Sequence, residues 1–378
     1  GSRTCSTLAP VEGVEAMRHV LLAATLAMTG CAGRTPEGQS AADGGAEPDV
    51  PVVTMCGENG AEVEIATKCH GPVCDEELSR IEDCETIVGD LLISSPATAI
   101  LSLPVLHEVT GNLIISGGNA LAELDLPQLT RVGRNLMLVG SALEELDGLA
   151  ALTTVGGEFY IARNDTLATL AGLQSLSRVQ CGVSIEDNDA LENLEGLEGI
   201  ASLAQTCGLY VAALAVRSNA SLRTLDGAGS LVETQLLVVE GNPLLQSLDG
   251  LSSLSSVFGN GIFITDNPSL LDLNGLGSIT PGPDGFGVLA IRNNDALTTL
   301  QGLGWVTALT SSLSISDNER LSTITSLSAL QTVGSLVAVL DNPQLPQCEV
   351  DALVERLADN GFAGGLEVEN NTGETPCE

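Results

Sequence analysis

Residues 158–179 read EFYIARNDTLATLAGLQSLSRV, and residues 182–200 read GVSIEDNDALENLEGLEGI. Each opens on a short apolar-x-apolar strand, Phe159-Tyr160-Ile161 or Val183-Ser184-Ile185, and reaches an asparagine three residues after the second apolar position. Each then returns through a run of the form L-x-x-L-x-G-L-x-x-[LI]. Two consecutive segments with this pattern are the signature of a stacked repeat, in which no unit buries its apolar face without its neighbours.

Working outward, the second apolar position falls at Ile93, Ile115, Leu138, Ile161, Ile185, Val216, Val239, Ile264, Ile291, Ile315, Val339 and Val368. The spacings are 22, 23, 23, 24, 31, 23, 25, 27, 24, 24 and 29 residues. The chain is therefore expected to be mainly β, a right-handed β-solenoid of about twelve coils. The 31-residue spacing before Val216 is the candidate seam if the array is two fused units. Ten coils place an asparagine at the same corner: Asn119, Asn164, Asn188, Asn219, Asn242, Asn267, Asn294, Asn318, Asn342 and Asn371. One amide per coil can satisfy backbone groups that a buried turn would orphan. The N-x-[ST] triplets at Asn164 and Asn219 coincide with this ladder, so their side chains are expected inside. The Asp-Gly pairs at 147–148, 226–227 and 249–250 recur at another corner and read as turns.

The composition fits thin stacked layers. Hydrophobic residues make up 44% of the chain, yet aromatic residues only 2%, so the core is built from aliphatic side chains. Fourteen Lys plus Arg against 49 Asp plus Glu give a net charge of −35, which repels nucleic acid and anionic lipid.

Met17-Arg18-His19, the apolar run 20–28 and Thr29-Gly30-Cys31 read as an export signal, since nine apolar residues cannot span a bilayer that needs about twenty. Met28-Thr29-Gly30-Cys31 resembles the lipobox of bacterial lipoproteins. That resemblance implies lipid attachment at Cys31 and, with Ala32 rather than Asp after it, the outer membrane or cell surface. The expected division is an upstream extension at 1–16, a signal peptide at 17–30, a Gly/Pro-rich tether at 31–55, a Cys-rich N-terminal cap at 56–84, the repeats at 85–347 and a C-terminal cap at 348–378.

The sharply defined strand and the G-L-x-x-L-x-x-V return, with CDEELSRIEDCETIVGDLLI at 74–93, resemble the receptor L-domain family. This likeness implies a β-helical domain with capping helices at both ends, used for recognition at a surface. A typical member has about half as many coils. At the far end Val350, Leu353, Val354 and Leu357 share one face of a helical stretch, fit to cover the last coil.

Export makes disulfides the default for Cys56, Cys69, Cys74, Cys84, Cys181, Cys207, Cys348 and Cys377. The middle pair, Cys181 with Cys207, and the C-terminal pair, Cys348 with Cys377, are expected to bond. Three connectivities remain open for the first four. Zinc at Cys69, His70, Cys74 and Cys84 is the sharper alternative, but the spacing matches no zinc motif.

The sequence carries no phosphate-binding, zincin or nucleophile-elbow motif, so no catalytic residue and no cofactor is assigned. Acids such as Glu186, Asp187 and Asp189 leave a polysaccharide-cleaving β-helix as the rival reading, although Asp266, Asp317 and Asp341 recur at the Asn corner as turn residues would. A binding face is expected from strand alternation, which turns the middle strand residue outward. Leu92, Ile114, Met137 and Tyr160 would form an apolar stripe about 14 Å long at about 4.8 Å per coil, with Val238 and Phe263 as a second patch. A protein ligand at the cell surface is the expected partner, with the membrane reached only through the lipid anchor.

Overall fold

The computed structural model describes residues 81–93, 97–116, 120–203, 213–280, 282 and 285–373, with the backbone of 53–56 and 62–65. It is a parallel β-solenoid whose main sheet runs through twelve strands: β1 (Leu91–Ile93), β2 (Leu113–Ser116), β3 (Leu136–Val139), β4 (Glu158–Ala162), β5 (Gly182–Glu186), β6 (Ala213–Arg217), β7 (Glu233–Glu240), β8 (Ser256–Thr265), β9 (Val288–Arg292), β10 (Ser312–Ser316), β11 (Leu336–Leu340) and β12 (Gly365–Glu369). Each expected strand position pairs with its counterpart in the next coil, from Ile93 with Ile115 to Val339 with Val368. The pairing continues unbroken from Ile185 to Val216, so the main sheet runs on across the 31-residue interval.

The leucine run has a direct physical reading. Between Asn164 and Val179 the chain places Leu167, Leu170, Leu173 and Leu176 at intervals of three, all fully buried. The Leu167 N–H donates to the Asn164 carbonyl, Leu173 to Leu170 and Leu176 to Leu173. Bonds spanning three residues give three residues per turn, so every third side chain points the same way, into the core. The glycine of the L-x-G-L unit is demanded by close approach between coils. A Cβ on Gly172 would strike the Leu146 carbonyl, and one on Gly250 the Leu225 carbonyl. The expected Asp-Gly turns at 147 and 249 are 3₁₀ segments, Asp147–Leu149 and Asp249–Leu251, whose glycines serve this packing.

A second face carries two-residue parallel strands from Thr86–Ile87 to Arg178–Val179, and the array closes on helix α1 (Gln347–Asp359). Val350, Leu353 and Leu357 of α1 are buried and Val354 is partly so. The Arg356 guanidinium donates to the carbonyls of Leu327 and Leu330, docking the helix on the preceding coil. In the chain the helix lies between β11 and β12. A hairpin of Val53–Cys56 with Glu62–Ile65 straddles the expected tether boundary at residue 55. The expected N-terminal helix falls mostly outside the described residues, among which α1 is the only α-helix. No helix of the described residues is long and apolar enough to cross a membrane.

Candidate functional site

The asparagine corner is built from the backbone outward. Gly140, Arg163, Asp187, Ser218, Gly241, Asp266, Asn293, Asp317, Asp341 and Asn370 all have φ between 51° and 69°. Each immediately precedes a ladder position. The left-handed conformation favours Gly, Asn and Asp, which explains the acids at this corner. The residue after each of them turns its side chain inward. Asn164, Asn188, Asn219, Asn242, Asn267, Asn294, Asn318, Asn342 and Asn371 are at most 4% exposed. Asn219 is typical: its amide donates to the carbonyls of Ile185 and Arg217, and its oxygen accepts the Asn188 backbone N–H. Coil three lacks the asparagine, and there Ser141 donates both its N–H and its hydroxyl to Asn164. Asn119 lies outside the described residues. These amides are structural, which leaves the outer sheet face as the place for function.

The middle strand positions do form one row. Leu92 pairs with Ile114, Ile114 with Met137, Met137 with Tyr160, and later Val238 with Phe263. The row is not the open stripe that alternation alone suggests. Leu92, Met137, Tyr160 and Val238 are buried, at 2–9% exposure, while Ile114 and Phe263 are half-buried. Neighbours one strand apart shield each other, as cross-strand contact predicts. They gather into two clusters, Met137, Tyr160 and Ala162 with Ile114 and Val139, and Ala213, Ala215, Leu236 and Val238 with Phe263.

Polar groups meet between these clusters. Two residues beyond the middle row, β5, β6 and β7 align Glu186, Arg217 and Glu240. Arg217 pairs with Glu186 and lies 3.4 Å from Glu240. Glu186 also accepts the Tyr160 hydroxyl at 3.3 Å and the Ser184 hydroxyl at 2.8 Å. Burial, with the Glu186 charge and hydrogen bond, pushes the Tyr160 phenol up and keeps it a donor. A second ladder at the strand starts runs from Asp90 to Asn112 to Asn135, whose side-chain oxygen accepts the Glu158 N–H. Glu158 takes the next place in that column. Burial, and then Glu186, raise its pKa, with Arg217 opposing.

The site is thus a half-covered patch with a carboxyl whose pKa burial raises, a second carboxyl that accepts from three donors, and one shared guanidinium. The expected acids do not converge. Glu186 stands on the sheet, whereas Asp187 turns into the corner, 3.9 Å from Arg163. Among the described residues no group of three or more His, Cys, Asp or Glu is placed to hold a metal ion. Glu158 and Arg217 were missed by reading one residue per strand. The alternation Glu186, Arg217, Glu240, read at a fixed offset from the ladder, is the signal that finds the row.

Cys84 is buried in the core with Ile81 and Ile87. Cys181 and Cys348 are the described members of the two expected pairs. Their expected mates Cys207 and Cys377 lie outside the described residues, as do Cys31, Cys69, Cys74 and the Cys56 side chain. No protein-family model matches the chain, and no curated protein matches it.

Proposed function

We propose that this chain is a lipid-anchored surface protein of receptor L-domain type, non-enzymatic, which recognises a protein ligand through the outer face of its main sheet. The observation that carries this reading is the Glu186-Arg217-Glu240 row on the same face as half-buried Ile114 and Phe263. Alternating charge beside apolar surface gives register and specificity to a partner, and a rigid solenoid holds both at low entropic cost. The net charge of −35 disfavours anionic partners. Lipid attachment at Cys31 places the solenoid at the outer membrane or cell surface.

Cross-linking on living cells tests the face. The partner captured by the native chain should be lost with Arg217→Glu and kept with Arg178→Glu, a change on the second face. An unchanged capture profile with Arg217→Glu would remove the reading. Labelled palmitate should enter the native chain and not Cys31→Ser.

A second reading is favoured by one observation, the carboxyl of Glu158, whose pKa is raised by burial and then by Glu186. A polysaccharide-cleaving site employs one carboxyl of raised pKa together with a second carboxyl. Glycan arrays and hydrolysis assays with Glu158→Gln separate the two readings: cleavage by the native chain, lost in the variant, would replace recognition with catalysis.

A further inference from the structure

Among the described residues, the last strand of the main sheet has no paired neighbour along one side. β12 pairs only with β11 among the described residues. Its Gly365 N–H donates to the Ser335 carbonyl, and its Glu369 carbonyl accepts the Asp341 N–H. By the alternation of a parallel ladder, the N–H and C=O groups of Leu366 and Val368 then point away from the sheet. Leu366, in register with the buried Val337, is 50% exposed. Most sheet proteins cover or bend such an edge, because it templates another strand.

Two features say what fits there. Glu367 and Glu369 are exposed on this strand. The chain leaves it through Asn370 into a groove that Asp341, Asp317, Glu319 and Asp295 also line. A second copy of this chain meets like charge both edge to edge and head to tail, since β1 at the other end is flanked by Glu82, Asp83, Glu85 and Asp90. At Gly373, the last described residue, the chain is bridged to Pro346 beside α1.

We infer that β12 is a docking edge for an extended basic segment of a partner protein, added as a further parallel or antiparallel strand with its Lys or Arg side chains over Glu367 and Glu369. Main-chain bonds to Leu366 and Val368 supply the pairing, and the acidic edge selects the partner's charge.

A fluorescent heptapeptide of alternating lysine and valine, titrated into the full chain at physiological salt, tests this. Leu366→Pro removes an outward N–H without touching the β11 ladder, a place where edge strands tolerate proline. Binding should weaken about tenfold or more with Leu366→Pro, and similarly with Glu367→Lys plus Glu369→Lys. The amides of Leu366 and Val368 in the native chain should gain protection from hydrogen exchange when peptide is added, a readout that stands if the proline variant fails to fold. Equal affinity for Leu366→Pro, unchanged exchange at both amides, no binding by the native chain, or self-association through this edge each overturns the inference.

Discussion

The side-chain oxygen of Asn219 accepts the backbone N–H of Asn188 at 3.1 Å, although the two residues lie 31 positions apart. The contact joins coils across the longest interval in the ladder. Asn242 serves Asn219 in the same way at the next step. The ladder therefore transmits register through the one interval where repeat length gives no help.

Asn219→Ala should be among the most damaging single changes in the chain. It removes an acceptor for Asn188 and donors to Ile185 and Arg217, all in a buried corner. Each orphaned buried group costs about 1–3 kcal/mol, so a total near 3 kcal/mol or more is expected in urea unfolding. Asn219→Asp should not rescue, since a carboxylate cannot donate to the two carbonyls. A loss below about 0.5 kcal/mol would mean the ladder is ornamental.

Gly172→Ala and Gly140→Asn should behave oppositely. The first pushes a Cβ into the Leu146 carbonyl of the coil before it. Backbone atoms must move, and the variant should lose more than the roughly 1 kcal/mol by which a sterically compatible Gly-to-Ala change alters stability. Gly140 has φ +66 and open space around it. Other coils place Asn or Asp at its position, so Gly140→Asn should stay within about 0.5 kcal/mol of the native chain.

The strands and the ladder were legible in the sequence because both obey one rule per coil: an apolar-x-apolar triplet and an amide three residues on. The positive φ before each ladder residue was not, because Arg163 and Ser218 adopt it as Gly140 does, and only tertiary pairing forces them to. The middle row was found and its exposure misjudged. Alternation says which side of a sheet Tyr160 faces but not how far Met137 and Glu186 shield it. The influence of Glu186 and Arg217 on Glu158 was invisible for a related reason: they belong to three coils, and Glu158 stands at a strand's start while the others stand at strand ends.

Peptide mapping without reductant should recover Cys181 joined to Cys207 and Cys348 joined to Cys377. Closing the 26-residue interval from Cys181 to Cys207 should contribute about 3 kcal/mol, read as the stability lost in Cys207→Ser. Free alkylation of either Cys181 or Cys348 in the native chain would contradict the assignment.

Stability should carry a signature of Glu158 in its dependence on pH. Its folded pKa lies above the ordinary 4.5 because burial and Glu186 disfavour the charge. The folded state therefore holds the proton more tightly than the unfolded chain. This contribution is full below pH 4.5 and is lost as pH rises through the folded pKa. Glu158→Gln removes the charge that must be buried, so its advantage over the native chain should grow across that window and level off above it. A constant difference from pH 4 to pH 8 would show that Glu158 ionises at its ordinary value in the fold.

Arg217 is the single cation shared by Glu186 and Glu240, with only 14% of its side chain exposed, and it opposes the rise in the Glu158 pKa. Its removal leaves carboxylates facing each other in a half-covered patch. Breaking a buried pair by deleting one partner costs about 3–5 kcal/mol, whereas replacing both partners with neutral groups of similar size is often close to neutral. Arg217→Met should accordingly lose about 3 kcal/mol, Glu186→Gln less, and the double variant less than the sum by at least about 1 kcal/mol. In Arg217→Met the pH window assigned to Glu158 should also widen upward, because the guanidinium no longer opposes burial and the Glu186 charge. Additive losses with an unmoved window would show that Arg217 acts through packing of its aliphatic stem, and the charge row proposed as the recognition face would lose its electrostatic basis.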